Sequence, residues 1–257
     1  MKKRIISAVV ALAIFIPLIA LGGLWFRVAV SVLAVIGMND FLDLEGKDRR
    51  PKYVNVIFYA LVLLLTYFDV KKEAYYLLTL LIPMLAVIYC NNNKKYNADD
   101  AFKLIGMAIL IGTVFNKVVI IRNENIWVFI YLFLITTMTD TFAHLGGSLI
   151  GKHKLAPKIS PNKTWEGAVI GGIFGTLCAS TFYYIAIDSS VNVLGLLVIT
   201  LFLSSLGQLG DLFFSAVKRN HGVKDFSNLM PGHGGVLDRL DSIIFVIIGY
   251  ILLSGII

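Results

Sequence analysis

The stretch MPGHGGVLDRLDSIIFVIIGYILL, residues 230–253, decides the fold. Its first half is polar and rich in turn formers, with a histidine among glycines and a pair of carboxylates, Asp238 and Asp241, around Arg239. Its second half is an apolar run. A run of this kind is a membrane helix when the rest of the chain offers similar runs, and a core helix when it does not. Here it does. The 257-residue chain is 58% hydrophobic and only 15% charged, with a mean hydropathy of +0.81. Soluble domains carry about 25% charge, so these values exclude a soluble globular domain and a disordered chain alike. No shift in composition marks a second, soluble part. The expected fold is all-α: one polytopic integral membrane helical bundle.

The formal net charge of +7 does not call for a nucleic-acid partner, because in a membrane protein basic residues collect in the loops that set topology. Cys90 and Cys178 lie at or within apolar runs with no paired spacing, which argues against a disulfide framework or a zinc site. The first 23 residues imitate a secretory signal, with a basic start and an apolar core. Further apolar runs follow at once, so an uncleaved first helix is expected.

Windows of about 20 residues mark about nine transmembrane helices, at 5–22, 24–42, 53–70, 74–90, 101–121, 126–150, 166–187, 190–217 and 241–257. With the N-terminus in the cytoplasm, 18 of the 23 lysines and arginines face that side. Lys71, Lys72 and Arg122 face the other, and Arg27 and Lys117 fall within spans. This asymmetry satisfies the positive-inside rule and supports the count, since one missed helix would scramble the sides. The expected organisation is an N-terminal group of about five helices over 1–125 and a C-terminal catalytic region over 126–257. The two longest polar loops of that region, 151–165 and 218–240, then lie together on the cytoplasmic face.

Charges inside spans come next. Asp140 and Asp211 lie within the sixth and eighth spans. A carboxylate at membrane depth costs about 2.5–3.5 kcal/mol on insertion scales, so it faces a partner or a wet cavity. Each is a structural pair or part of a site. Asp238 and Asp241, at i and i+3, share one helix face at a helix start, where the macrodipole favours negative charge. Capping explains one of them and leaves the other. Oxygen ligands without His/Cys spacing suit a hard cation such as Mg²⁺, shared with substrate phosphates, and Asp211 can complete a set of three. Gly232, Gly234 and Gly235 are turn glycines or a backbone cradle for phosphate. His233 is a phosphate donor or an ordinary loop histidine. The loop 151–165 holds four lysines, and Ser160, Asn162, Lys163 and Thr164 precede a helix start. Thr164 suits an N-cap, and the cluster is an anion site or a topology-setting basic loop. It lacks the spacing of a Walker A loop. Carboxylates for a metal and lysines for phosphates at a lipid–water boundary suit a reaction between a nucleotide and a lipid phosphate.

The run from Ser215-Ala-Val-Lys-Arg219 through Lys224-Asp225 to Pro231-Gly-His-Gly-Gly-Val-Leu-Asp-Arg-Leu-Asp241 closely resembles the signature of the phosphatidate cytidylyltransferases, or CDP-diacylglycerol synthases. The segment Gly151–Gly167 is similar to the family's second motif, and Asp140-Thr141 and Gly210-Asp211-Leu212 fit it too. The resemblance spans roughly residues 130–250. It implies conversion of phosphatidate and CTP to CDP-diacylglycerol and pyrophosphate, by an enzyme multi-pass in the inner membrane with its active site facing the cytoplasm. It implies Mg²⁺ and a monovalent cation such as K⁺. Family members are often dimeric, so a homodimer is an expectation. Carried onto this chain, the metal ligands would be Asp211, Asp238 and Asp241. Lys218, Arg219 and Lys224 would neutralise phosphates. Ser160, Lys163 and Thr164 would hold the CTP phosphates, with His233, Gly234, Gly235 and Arg239 nearby and Asp140 lining the cavity. Two positions depart from the family: Ser148, where Arg or Lys is common, and Phe214, where Glu is common. The rival readings are a CTP-dependent lipid kinase, a polytopic transporter, and a relative weakened in catalysis.

Overall fold

A computed structural model of the chain describes residues 13–46, 50–68, 72–90, 96–227, 229 and 234–254. The described residues form nine helices and one small hairpin. Helix α1 covers 13–21. It is followed by α2 (Gly23–Leu44), α3 (Lys52–Tyr67), α4 (Lys72–Cys90), α5 (Ala98–Glu124) and α6 (Ile126–Ile150). Strands β1 (Lys154–Ala156) and β2 (Ser160–Thr164) come next, then α7 (Trp165–Ala186), α8 (Val193–Asn220) and α9 (Leu237–Leu253). The all-α, polytopic character is as the sequence indicates, but the count of about nine spans is loose. Five helices, α2 and α5–α8, are long and apolar enough to cross a membrane. Helix α3 is apolar but has 16 residues, which reach about 24 Å at 1.5 Å per residue, against a hydrocarbon core of about 30 Å. Helix α9 has 17 residues.

The chain divides into two compact units. One comprises Met1–Asn123 and Asp225–Arg239, the other Glu124–Lys224 and Leu240–Ile257. In the first unit, arginines satisfy the carbonyls that helix ends leave open. Arg122 donates to the carbonyls of Ile19 and Ala20 at the end of α1. Arg27 donates to Tyr67 O at 2.7 Å, at the end of α3. The buried Arg50 donates to Leu42 O at 2.9 Å, near the end of α2. Cations at helix C-termini also complement the macrodipole. Arg27 and Arg122, which lie off the basic face in the topology count, therefore have structural work of their own.

In the second unit, side-chain oxygens open each described helix that starts there. Asn125 caps α6, Thr164 caps α7 and Asn192 caps α8. Helices α6 and α7 make the most extensive helix–helix contact among the described residues, because small residues let their backbones approach. A Cβ on Gly171 would sit 2.6 Å from the Thr139 carbonyl, and one on Gly167 would sit 2.6 Å from the Ala143 carbonyl. Buried hydroxyl pairs tie α6 to α8: Thr139 to Ser204 and Tyr131 to Thr200, each at 2.7 Å.

The loop 151–165 carries structure the sequence reading had not assigned. Strands β1 and β2 pair antiparallel, and Ile159 N donates to Ala156 O at 3.1 Å across a turn with Pro157 at its second position. Proline there has its φ preset for such a turn. Glu166, in the first turn of α7, accepts from the amides of Lys152 and His153 and from His153 Nδ1 at 2.6 Å. It fastens the hairpin's entry to the helix that follows the hairpin.

Adjacent glycines of α7 test the close approach. A Cβ on Gly172 would meet only ordinary contacts, the nearest 3.6 Å away. Gly171→Ala is expected to destabilise by about 1–3 kcal/mol through overpacking, while Gly172→Ala is neutral or slightly stabilising through helix propensity. Thermal unfolding of the two variants in detergent checks this.

Candidate active site

Three helices of the second unit bring carboxylates into electrostatic contact. Asp140 stands on α6, Asp211 on α8 and Asp241 on α9. Asp211 repels both of the others, and Asp140 and Asp241 repel each other. Two lysines oppose this charge. Lys163 of β2 places its ammonium 2.5 Å from Asp211 Oδ2 and also acts on Asp140. Lys218 of α8, buried to 7% exposure, acts on Asp241. Further bonds fix the carboxylates: Asp211 Oδ1 accepts from the Ser215 hydroxyl at 3.2 Å, and Asp241 Oδ1 accepts from Ser242 N at 2.8 Å. A Cβ on Gly210 would sit 2.7 Å from Asp241 O, so a side-chain-free position lets α8 and α9 run close enough for their carboxylates to meet.

The β-hairpin delivers Lys163 to this cluster. Thr164, buried at 5% exposure, is committed to capping, its hydroxyl accepting from Gly167 N at 3.1 Å. Ser160 is half-buried at the start of β2. Arg219 braces the hairpin: Nε donates to Ile159 O at 3.1 Å and Nη1 to Val223 O at 2.7 Å. Lys224 is exposed at the end of the unit.

Asp238, Gly234, Gly235 and Arg239 belong to the first unit. Asp238 Oδ2 accepts from Phe226 N and from Gly235 N, both at 2.8 Å. Gly234 has φ +81°, a backbone state that favours glycine, and Arg239 is exposed. His233 lies outside the described residues. The departures at Ser148 and Phe214 have local explanations. The Ser148 hydroxyl donates to Leu145 O of its own helix at 2.8 Å. Phe214 is fully buried beside Phe213 and Phe245, with ring centroids 5.3 and 6.3 Å away.

Two carboxylates absent from the sequence-derived set stand out. Asp40, on α2, is 1% exposed and accepts from Val236 N at 2.7 Å and Leu237 N at 3.4 Å. Its signal was present, an aspartate inside an apolar window at 24–42. The other is Glu166, which reads as an ordinary acidic first-turn residue.

A divalent ion fits the donor chemistry of the cluster. Among the described residues no three His, Cys, Asp or Glu side chains form a ready cage. Mg²⁺ needs none, since it typically takes one or two carboxylates and completes its shell with water and substrate phosphates. Hard carboxylate oxygens beside two lysines suit an ion that arrives with a polyphosphate.

Fold and cluster together define a class: polytopic membrane proteins that gather carboxylates and lysines where a hairpin meets their apolar helices. The chain belongs to the cytidylyltransferase family, which it matches over residues 2–256. It is 37% identical over 252 residues to the phosphatidate cytidylyltransferase of Staphylococcus aureus (strain COL), covering 96% of each chain. It is 36% identical over 256 residues to that of Staphylococcus haemolyticus and 35% identical over 254 residues to that of Staphylococcus epidermidis (strain ATCC 12228 / FDA PCI 1200), again over 96% of each chain.

The Thr164 cap makes a prediction. Thr164→Ala is expected to lower unfolding free energy by about 1 kcal/mol, within the 0.5–2 kcal/mol typical of lost N-caps, while Thr164→Ser holds it near wild type. A Thr164→Ala protein that unfolds at the wild-type temperature contradicts the cap.

Proposed function

We propose that the chain transfers CMP from CTP to phosphatidate, giving CDP-diacylglycerol and pyrophosphate for phospholipid synthesis. The observation that carries this reading is the union of Asp140, Asp211 and Asp241 with Lys163 and Lys218 in the second unit. Its family membership and the names of its relatives support the same reaction.

The phosphate of phosphatidate attacks the α-phosphorus of CTP in line. A P–O bond forms to the lipid phosphate, the bond to the β-phosphate oxygen breaks, and pyrophosphate leaves with its electron pair. A phosphate monoester is already a competent nucleophile near neutral pH, so the protein needs no covalent intermediate. Its work is to hold two polyanions together and balance their charge. Lys163 and Lys218 bring positive charge to the phosphates, and the hairpin braced by Arg219 and Glu166 sets where Lys163 stands. Mg²⁺, when bound, would neutralise nucleotide oxygens and stabilise departing pyrophosphate. Asp211 and Asp241 would hold it.

The membrane placement belongs to the same proposal: inner membrane, with the hairpin and the start of α9 in the cytoplasm. The charge asymmetry of the loops supports it. A homodimer belongs to the proposal too, and the molar mass in detergent reads it.

Two experiments test this. Purified protein with phosphatidate, CTP and Mg²⁺ should release pyrophosphate only when all three are present, and Asp211→Asn should reduce the rate at least about a hundredfold, as loss of a charged transition-state contact does. Release of CDP instead, with phosphorylated lipid, would make the protein a lipid kinase. For sidedness, Lys158→Cys in a Cys90→Ser, Cys178→Ser background should react with an impermeant maleimide from the cytoplasmic face only.

A further inference from the structure

We propose that Asp40 is a positioning residue for CMP transfer: from α2 it sets the start of α9, the helix that carries Asp238 and Asp241. This rests on the reading of the chain as a CMP transferase. Asp40 is the most buried described carboxylate of the first unit, at 1% exposure, and it sits inside an apolar helix. Burying an ionised carboxylate is tolerated only where donors surround it. The donors here all come from residues 227–237. Val236 N lies at 2.7 Å and Leu237 N at 3.4 Å from Oδ2, and the Ser227 hydroxyl bonds the same side chain.

Leu237 N is the first amide of α9 and Val236 N the one before it, so Asp40 caps the helix start from 196 residues away in sequence. Charge-assisted bonds to backbone N–H are roughly twice as strong as neutral ones, and negative charge at a helix N-terminus is favoured by the dipole. Because Ser227 lies on the entering side and Val236 and Leu237 on the leaving side, one carboxylate clasps both ends of the segment between them. Asp238 does the same one layer over, joining Phe226 N to Gly235 N. Gly235 shows how tight the clasp is: a Cβ there would run into Asp40 Oδ2 and come within 2.7 Å of Ser227 Oγ. Asp40 and Asp238 repel each other across this neck, a cost that the separate donors on each carboxylate offset. Asp40 bonds to neither Lys163 nor Lys218, the lysines assigned to phosphate, so its effect on the reaction passes through where α9 begins.

The test uses the full-length protein in detergent as Asp40→Ala and Asp40→Asn, with two readouts. In Asp40→Ala, hydrogen–deuterium exchange at the Val236 and Leu237 amides should rise at least about tenfold while exchange through α5 stays unchanged. The kcat should fall about ten- to a hundredfold, with KM for CTP within about threefold, since displacement of a catalytic group by about 1 Å has this scale of effect on turnover. Asp40→Asn keeps the shape and one acceptor oxygen, so it should recover part of both. If Asp40→Ala does not fold, Asp40→Asn carries both readouts: faster exchange with lowered kcat supports the role. Unchanged exchange overturns the cap. Faster exchange with wild-type kcat overturns positioning and leaves Asp40 a packing residue. A wild type that transfers no CMP overturns the reaction reading and the positioning role with it, and in that case exchange at the two amides still shows whether the clasp exists.

Discussion

Charge carried into a lipid-facing helix must find a partner, and the arrangement of this chain follows from that constraint. The ion pair between Lys163 and Asp211, at 2.5 Å, is its clearest expression. It joins a hairpin to a membrane helix and balances one of three mutually repelling carboxylates. Coulombic energy between such groups grows as water is excluded, and this pair is half-buried, with Lys163 also acting on Asp140 and Ser215 bonding Asp211.

The same constraint acts on the backbone. Water is absent from the hydrocarbon region, so helix ends near it need internal partners. The first unit meets this with arginines on carbonyls, as Arg27, Arg50 and Arg122 show. The second meets it with Asn125, Thr164 and Asn192 on amides. Glycines serve a separate need, close approach. Gly167 and Gly171 bring α7 onto α6, and Gly210 brings α8 onto α9. Catalytic geometry is built from these two devices: caps fix where helices begin, and glycines fix how near they pass.

Much of this was legible in the sequence, for physical reasons. Apolar windows located the helices because length and hydropathy dominate in lipid, and the window at 126–150 coincides with α6. Asp140 and Asp211 stood out because isolated carboxylates in apolar runs are rare. Other features depend on contacts distant in sequence and left weaker marks. Asp40 was hidden because only two residues separate it from a further aspartate near the end of its helix, so it reads as part of a polar terminus. Its partner amides lie near position 236, which no local pattern reveals. The hairpin at 154–164 was hidden by two prolines, which favour a loop reading, although one suits its turn and the other stands in a two-stranded ribbon, where every strand is an edge. Arg219 is basic and beside a motif, which marks it for phosphate, while its bonds to the carbonyls of Ile159 and Val223 leave no local mark.

The central claim is that the carboxylate and lysine cluster of the second unit is where nucleotide and metal meet. Calorimetric titration of CTP into the purified protein, with and without Mg²⁺, tests it most directly because it needs no lipid and no turnover. Mg²⁺-dependent binding is expected, weakening at least about tenfold, or about 1.4 kcal/mol, in Asp211→Asn. CTP binding of equal strength in wild type and Asp211→Asn, indifferent to Mg²⁺, would contradict it.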